Sequence, residues 1–560
     1  MAFSLPGYAW LLISGLSRRM AAVEQATLAF VISLAFLSLL SAGLSLVTQR
    51  YLIFSLIISI GGALVLLGAH AFKNRPKPFQ LPDIKSLPKP LLLCLLIYAI
   101  LLVALFWSAP YYPTTEAPDL VTHADVTQAI LAGQGRNVLL HENFPVGFHF
   151  VAALMAYLLQ VGSLEGLRIV TAPILLAIVS LFFFSARRMF GSNSISGIVV
   201  VVGSLALPVD LIHFLRIGTY PNLLEDCILL CLLLLLASYV NQPSKALGVS
   251  MILLCITGVF VHSSSFLFLA AALITTPILY FTSAKTSFRN YLSGLLYPVA
   301  GLLLFAAILW PFLRANLDRI IASYVELGQP LISSVLRTSY FNFGYDLAYF
   351  FGWVNVVALF AGILSIAFLG KKSVWAVFLL MWMGIQFVSP TFSEQSYRFV
   401  LFGMLPAAFI IGKGLADVRT WAISLAGTLS KFKAWLVPIL LLILIVTGSL
   451  PGLIPRMVNP NQRARQENIY SSMQWLKQSN CTAVASSGLY PDYLYLQVLT
   501  PVPYKGDFAK PADVLQKSTE LGLACVAVAN DAPYFESFLT SPSYRELYHN
   551  NIVWIFAITH

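Results

Sequence analysis

Charged residues are scarce in this sequence. Asp, Glu, Lys and Arg make up 10% of its 560 residues, 58% are hydrophobic, and the mean hydropathy is +0.82. Soluble globular domains carry about a quarter charged residues, so the composition excludes that class and predicts a polytopic membrane protein. The net charge of +11 comes from short Lys and Arg clusters between apolar runs, where such clusters set membrane orientation. We therefore expect no nucleic-acid partner.

Features typical of other protein classes are also missing. The sequence shows no internal repeat and no low-complexity tract. It shows no cleavable signal peptide either, because Arg18 and Arg19 precede an apolar run over 26–48 that has no small-residue cleavage site at its end. That run is expected to be the first membrane anchor.

Cysteines are few, and their positions divide them into two groups. Four of the six lie in apolar runs, where they are expected to act as small hydrophobic residues: Cys94, Cys227, Cys231 and Cys255. The other two, Cys481 and Cys525, lie in a region of mixed composition. They could form one disulfide if that region is extracytoplasmic, although the sequence alone does not show that they are close enough.

Long apolar runs dominate the chain. A helix that crosses a bilayer needs about 20 apolar residues, and thirteen runs of this kind lie near 26–48, 51–71, 89–109, 166–186, 195–213, 221–241, 245–262, 265–282, 291–312, 346–369, 373–389, 397–414 and 434–453. A further run over 144–161 is short and opens with Pro145, Gly147 and His149. Whether it spans the membrane decides the orientation of everything after it.

The positive-inside rule favours a run over 144–161 that does not span. With a cytoplasmic N-terminus, all later Lys and Arg clusters then face the cytoplasm, whereas a spanning segment would turn them all outward. We therefore expect 144–161 to be an amphipathic or half-buried helix at the outer interface. This topology of about thirteen transmembrane helices places the loop over 110–165 and the C-terminus outside, most simply at a plasma membrane.

The apolar runs stop after Leu453. Short β-branched runs then alternate with helical patterns, and they predict strands over 483–487, 525–529 and 552–558 with helices over 461–478 and 510–521. The predicted fold class is therefore a polytopic α-helical membrane protein with a small extracytoplasmic α/β domain. Its expected divisions are an N-terminal two-helix membrane segment over 1–88, a transmembrane domain over 89–453 and the α/β domain over 454–560.

The outer loop over 110–165 carries the candidate chemistry. Asp119 precedes a predicted helix over 122–131, and His123 follows four residues later, so the two share a helix face if the helix begins early enough. Asp125 has a structural explanation, because Thr122 and Asp125 have the spacing of a capping box. Asp before a helix is itself a common cap. Functional and structural interpretations of both carboxylates therefore stay open.

Three motifs resemble the GT-C glycosyltransferases, which include oligosaccharyltransferases, protein O-mannosyltransferases and the bacterial aminoarabinose transferase of lipid A. Asp119-Leu-Val-Thr-His123, with a short helix that ends at Gly133, resembles the acidic first outer loop of that family. Phe144-Pro-Val-Gly-Phe-His149 is similar to the Tyr-Pro-Pro stretch that opens an interfacial helix, and Glu394-Gln-Ser-Tyr-Arg398 is similar to a Glu-x-Arg-Tyr helix start. The order of these motifs extends the resemblance from about Lys89 to the end of the chain.

The resemblance implies an inverting transfer of a sugar from a polyprenyl-phosphate donor in the membrane to an extracytoplasmic glycan, lipid or protein acceptor. Asp119 would act as the general base or orient the acceptor, and Asp125 and His123 are further catalytic candidates. Arg398 and Arg216 would stabilise the departing phosphate of the lipid. Glu394 and Arg398 could instead form only an ion pair along a helix.

A second acidic site lies in a span, where ionisable residues are functional candidates. Glu225 and Asp226 follow the short outer loop that carries Arg216. In the family a second acidic position binds the acceptor or helps to hold a divalent cation. Glu225, Asp226 and His149 are thus candidates for acceptor or metal binding, and Mg²⁺ or Mn²⁺ held by Asp119 and Glu225 is the candidate cofactor. The alternative is that Glu225 and Asp226 only stabilise a helix N-terminus.

Other outer residues carry weaker signals. Four histidines fall on the outer side, but their spacing matches no compact zinc motif: His123, His149, His213 and His262. A loop over 313–345 is expected to be a flap that orders when substrate binds.

Two further functions stay open. A transporter or flippase of lipid-linked sugars would show paired repeats and ionisable residues near the membrane midplane. No repeat is visible here and the charges collect in outer loops, which favours the enzyme. The third reading is a GT-C scaffold without activity.

Overall fold

The computed structural model describes residues 3–73, 87–108, 119–141, 145–207, 220–262, 265–282, 285–327, 352–368, 373–388, 396–426, 439–447, 460–489 and 502–559. At several helix ends, including those at Asp119 and Arg398, the description covers the backbone alone. The described chain is mostly helical up to residue 478, and strands occur only after it.

The helices before residue 460 are, in chain order, α1 (Leu5–Ile13), α2 (Ala22–Ser45), α3 (Tyr51–Lys73), α4 (Lys89–Ser108), α5 (Asp119–Leu131), α6 (Gly135–His141), α7 (Gly147–Leu159), α8 (Ser163–Phe190), α9 (Asn193–Val201), α10 (Tyr220–Asn241), α11 (Lys245–Val261), α12 (Ser265–Thr282), α13 (Lys285–Leu327), α14 (Trp353–Phe368), α15 (Val374–Val388) and α16 (Ser396–Ala426). A 3₁₀ turn over Leu16–Arg19 precedes α2, a π turn over Val202–Ala206 extends α9, and residues 439–447 are also helical.

Apolar helices form the body of the molecule. Among the described residues, five helices are long and apolar enough to cross a membrane, namely α2, α3, α8, α10 and the Lys285–Ala307 part of α13, and seven further apolar helices are shorter. Helix α10 is predominantly apolar and is buried from Tyr220 to Val240, as expected for a helix at the centre of a bundle. The architecture is that of an integral membrane protein.

Helix α1 was not predicted from the sequence, because its nine residues are too few to be recognised as a membrane-spanning run. It packs against α2 and α3. Gly7 permits this contact, since a Cβ at this position would lie 2.1 Å from the Ala29 carbonyl oxygen, and its amide donates to the Ser33 hydroxyl at 2.8 Å. Helix α2 in turn packs against α7, α8 and α11, so it lies within the bundle.

The structure corrects the prediction of a half-buried helix over 144–161, where helix α7 is observed. It packs against the bundle as expected, and its 13 residues are too few to span a bilayer. It is buried on nearly all sides, however, and only its last turn is exposed. The reason is a close approach at Gly147, whose carbonyl accepts a hydrogen bond from Ser38 at 2.8 Å and whose missing Cβ leaves room for Phe260.

The structure also corrects the prediction of a loop over 313–345, because helix α13 occupies its first part. The helix continues to Leu327, and the rest of that loop lies outside the described residues. The sequence between Pro311 and Gly328 contains neither proline nor glycine, so nothing in it ends a helix.

The C-terminal region holds a five-stranded sheet. Its elements are α17 (Pro460–Gln478), β1 (Val484–Ser487), β2 (Tyr504–Asp507), α18 (Pro511–Leu521), β3 (Cys525–Ala529), α19 (Phe535–Thr540), β4 (Tyr544–His549) and β5 (Val553–Ile558). The strand order is β2-β1-β3-β5-β4, with β1 parallel to β2 and β3, and β5 antiparallel to β3 and β4. A disulfide joins Cys481, after α17, to Cys525 in β3.

The three strands predicted from apolar runs are confirmed as β1, β3 and β5. The two that sequence reasoning missed, β2 and β4, are the edge strands. They contain Lys505, Arg545 and Glu546 among other polar residues, as edge strands often do to discourage pairing with other chains.

Candidate functional site

Helix α5 positions the acidic motif. It begins at Asp119, three residues before the predicted start, so Asp119 and His123 stand one turn apart on the same helix face. The Asp119 side chain itself lies outside the description. The earlier start overturns the capping box, because Thr122 and Asp125 now lie inside the helix rather than at its N-terminus. Asp125 is exposed on this helix.

His123 meets His149 of α7. The Nδ1 atom of His123 lies 2.9 Å from Nε2 of His149, and the His149 Nδ1–H donates to the Val146 carbonyl at 3.3 Å. His149 is fully buried, and this burial lowers its pKa to about 4, with the hydrogen bond to Val146 opposing the shift only in part. His149 is therefore neutral near pH 7.

These contacts determine which nitrogens carry protons. A carbonyl oxygen only accepts, so the proton of neutral His149 is on Nδ1 and its Nε2 accepts from Nδ1 of His123. A neutral His123 then has its lone pair on Nε2. The structure thus brings together two residues that the sequence suggested separately.

A second histidine contact joins α10, α11 and α12. The Nδ1 atom of His262, directly after α11, lies 2.7 Å from Oε2 of Glu225. Oε1 of the same carboxylate accepts from the Ser265 amide at 2.7 Å and from the Ser265 hydroxyl at 3.2 Å. Glu225 is fully buried, so the two Ser265 donors replace the water that Oε1 of its carboxylate would otherwise bind.

This geometry corrects one interpretation of the second acidic site. Helix α10 begins at Tyr220, so Glu225 and Asp226 lie in its second turn and do not stabilise its N-terminus. Glu225 instead caps the first residue of α12, a neighbour in space. Asp226 is also fully buried in α10.

The helix ends next to the two histidine contacts touch each other. A Cβ on Gly147 would lie 2.8 Å from the Phe260 ring and 3.0 Å from Val261, so the start of α7 touches the end of α11. His149 is two residues beyond Gly147, and His262 directly follows Val261. The start of α7, near His149, is therefore next to the end of α11, near His262.

The predicted phosphate-binding arginines are described only in part. Arg398 is in the first turn of α16, one helical turn before Phe402. The Phe402 ring centroid lies 5.4 Å from that of His262, so this helix face adjoins the site. Arg216, His213 and Glu394 lie outside the described residues.

Sequence reasoning missed Arg168. This residue is only 6% exposed, in the second turn of α8, the helix that packs extensively against α10. An arginine near the start of an apolar span is a signal in the sequence, because ionisable groups at membrane depth are costly.

The family of the chain follows from a model that matches residues 1–480, that of the family of unknown function DUF6541. The chain belongs to this family. The match covers the whole helical bundle of the DUF6541 chain, including α5, α7 and α10 to α12. None of the curated proteins matches its sequence.

Solved structures identify the fold of this DUF6541 chain. Apo ArnT from Cupriavidus metallidurans superposes with a TM-score of 0.53 at 14% identity, over 82% of this chain and 97% of ArnT. Arabinofuranosyltransferase AftD from Mycobacteria superposes with a TM-score of 0.50 at 14% identity, over 85% of this chain but only 40% of AftD. Both are GT-C glycosyltransferases, so the chain has the GT-C fold that the sequence resemblance implied.

The GT-C resemblance also implies a divalent cation. Among the described side chains, no three His, Cys, Asp or Glu residues lie close enough together to hold one. Oε1 of Glu225 accepts from Ser265, and Oε2 lies 2.7 Å from His262 Nδ1. The side chain of Asp119, the other candidate ligand, lies outside the described residues, so the cation stays a prediction and we derive no chemical step through it.

Proposed function

We propose that this protein is a membrane glycosyltransferase that moves a sugar from a polyprenyl-phosphate donor to an extracytoplasmic acceptor with inversion. The observation that carries the proposal is the GT-C fold, which matches ArnT over 97% of that chain. Within this fold, α5 presents Asp119 and His123 one turn apart beside the buried His149.

The proposed reaction is a direct displacement. The acceptor hydroxyl oxygen attacks the anomeric carbon from the face opposite the phosphate, and the bond from that carbon to the phosphate oxygen breaks. The bonding electrons leave with the lipid phosphate, and the hydroxyl proton passes to the Asp119 carboxylate. His123, on the same helix face, holds the acceptor or takes the proton onward through Nε2. Arg398 and Arg216 stabilise the charge that grows on the phosphate.

The proposed topology has about thirteen spans, a cytoplasmic N-terminus, and an extracytoplasmic active site and C-terminal domain at the plasma membrane. The Cys481–Cys525 disulfide supports this side for the C-terminal sheet, because disulfides persist in oxidising compartments. A reporter fused after Val161 tests the topology. An outer location is expected, and a cytoplasmic signal at this position would overturn the thirteen-span arrangement.

The function is tested by sugar transfer or release from a panel of radiolabelled polyprenyl-phosphate sugars by the purified protein. Asp119→Asn is expected to reduce turnover by about 10²- to 10⁴-fold, the usual contribution of a general base. Asp125→Asn, on the exposed face of the same helix, is the matched control and should remain within a few-fold of wild type. Loss of turnover in Asp125→Asn alone would reverse the two assignments. Tight binding of the lipid-linked sugar without any turnover would favour a transporter or an inactive scaffold.

A further inference from the structure

The turn that joins α2 to α3 lies against the turn that joins α5 to α6. A Cβ on Gly135 would lie 2.7 Å from the Tyr51 hydroxyl oxygen and 3.0 Å from Cβ of Ser45. A Cβ on Gly133, just after α5, would lie 3.8 Å from the Gln49 carbonyl oxygen. The N-terminal helices, to which the sequence assigns no function, therefore contact the end of the helix that carries the proposed base.

Tyr51, the first residue of α3, bonds to both sides of the α5–α6 turn. Its hydroxyl donates to the Ile130 carbonyl near the end of α5, and it accepts from the Gly135 amide at the start of α6 at 3.2 Å. Its ring packs edge-on against Phe150 of α7, with the ring centroids 6.1 Å apart. Because Tyr51 is fully buried, its hydrogen bonds are stronger than they would be in water. One side chain thus joins α5, α6 and α7.

Helix α5 is consequently held at two points along its length. His123 contacts His149 in the first half of the helix, and Ile130 contacts Tyr51 near its end. These points are seven residues apart, from 123 to 130, or about 10 Å along the helix axis. Two such points restrict the tilt of a helix, whereas a single one allows it to pivot.

We infer that Tyr51 is a positioning residue for Asp119 and His123, because its hydroxyl fixes the end of the helix that carries them. This inference rests on the proposed function, since it names the residue that positions the same base. A tilt of α5 by about 6° would move a group 10 Å away by about 1 Å, and a misplacement of that size costs up to about 10²-fold in rate. Tyr51 is buried and acts only through α5.

The test removes one hydroxyl and keeps the ring. Tyr51→Phe retains the packing against Phe150 but loses both hydrogen bonds. Turnover of radiolabelled polyprenyl-phosphate sugars is measured with the purified full-length protein. The kcat is expected to fall about tenfold to a hundredfold. The KM for the donor should stay within about twofold of wild type, because neither proposed phosphate-binding arginine is on α5.

A matched control removes the same group elsewhere in the bundle. Tyr291 of α13 is also fully buried, and its hydroxyl donates to the Ala272 carbonyl of α12 at 2.8 Å. Tyr291→Phe should lower the melting temperature about as much as Tyr51→Phe does, since each loses a buried hydroxyl, but it should keep the wild-type kcat. An equal fall in kcat in both variants would show a general loss of stability and would overturn the inference.

Two further measurements separate positioning from other effects. Hydrogen exchange of the amides over 119–141 should be faster in Tyr51→Phe than in wild type and unchanged in Tyr291→Phe. Combined with Asp119→Asn, Tyr51→Phe should lower the remaining turnover by a smaller factor than it does alone, because the base that it positions is already missing. Fully additive losses would contradict a role through Asp119.

The outcomes distinguish this inference from the proposed function. A wild-type protein that transfers sugar, together with a Tyr51→Phe variant of unchanged kcat, would overturn the inference and leave the proposed function standing. Unchanged hydrogen exchange over 119–141 in Tyr51→Phe would also overturn it, whether or not the protein is active. A wild-type protein without turnover on any donor of the panel would overturn both, because Tyr51 would then have no base to position.

Discussion

His123 Nδ1 and His149 Nε2 lie 2.9 Å apart, although the two residues come from different helices and are 26 positions apart. The second ring nitrogen of His149 is held by Val146 at the start of α7. The contact therefore links α5, which carries the proposed base, to a helix that is buried in the bundle. A catalytic side chain keeps the geometry that its reaction needs when a rigid element of the protein supports it in this way.

The burial of His149 predicts a pH dependence of stability. Its pKa is about 4 in the folded protein, against an ordinary value of 6.5, so between these values the unfolded chain binds a proton that the folded chain does not. The free energy of unfolding therefore falls as the pH drops from about 6.5 to about 4, by roughly 1.4 kcal/mol per pKa unit for this residue. The contribution is fully present above pH 6.5. Denaturant unfolding of wild type and His149→Gln across this range should show a shallower decline for the variant. Parallel profiles would contradict the assignment of a neutral, buried His149.

The close approach at Gly147 predicts a stability loss in Gly147→Ala. The new Cβ would lie 2.8 Å from the Phe260 ring and would push α7 away from α11, which should cost about 1–3 kcal/mol as other overpacked sites do. Gly43→Ala in α2 is the matched control, because nothing lies within 4 Å of its Cβ position, and it should be neutral or slightly stabilising. Melting temperatures of the purified variants distinguish the two. A Gly147→Ala protein as stable as Gly43→Ala would show that the helices do not touch there.

The two neighbouring arginines at the end of α8, Arg187 and Arg188, should contribute very differently to the stability of the protein. Arg188 donates to both oxygens of Glu24 at 2.9 and 3.0 Å, and Glu24 is only 2% exposed. Arg188→Gln leaves that carboxylate buried without its partner and should cost about 3–5 kcal/mol. Arg187→Gln removes an exposed charge next to it and should change stability by no more than about 0.5 kcal/mol. Thermal unfolding of both variants is the measurement, and the additional change Glu24→Gln should recover part of the loss in Arg188→Gln. Equal effects of the two arginine variants would count against a buried ion pair.

The disulfide predicts how many cysteine thiols are free to react. Alkylation under denaturing, non-reducing conditions should label four cysteines and leave Cys481 and Cys525 linked in one cross-linked peptide by mass spectrometry. The double variant Cys481→Ser/Cys525→Ser should lose about 2–4 kcal/mol of stability in the C-terminal sheet, because the bridge no longer restricts the unfolded chain. Detection of both thiols free in protein isolated under non-reducing conditions would exclude the bridge, and with it the support for an outer location of this sheet.

How much of the structure can be predicted from the sequence depends on how far apart in the chain the residues that determine each feature lie. The thirteen apolar runs each overlap a helix, and β1, β3 and β5 coincide with apolar runs, because hydropathy is read within one element. Local sequence patterns gave wrong predictions of where helices start and end. The capping box at Thr122 and the loop from residue 313 both failed because the helix extends further than its apolar core.

By itself, the sequence determined the membrane class, the positions of the apolar helices and the four-residue spacing that puts Asp119 and His123 on one face. Only the tertiary structure decided the partners: His149 for His123, His262 and Ser265 for Glu225, and Cys525 for Cys481. Burial in an apolar bundle obliges each polar group to find a partner. The choice of partner depends on which helices touch, and close contacts such as that at Gly147 arise between residues more than a hundred positions apart.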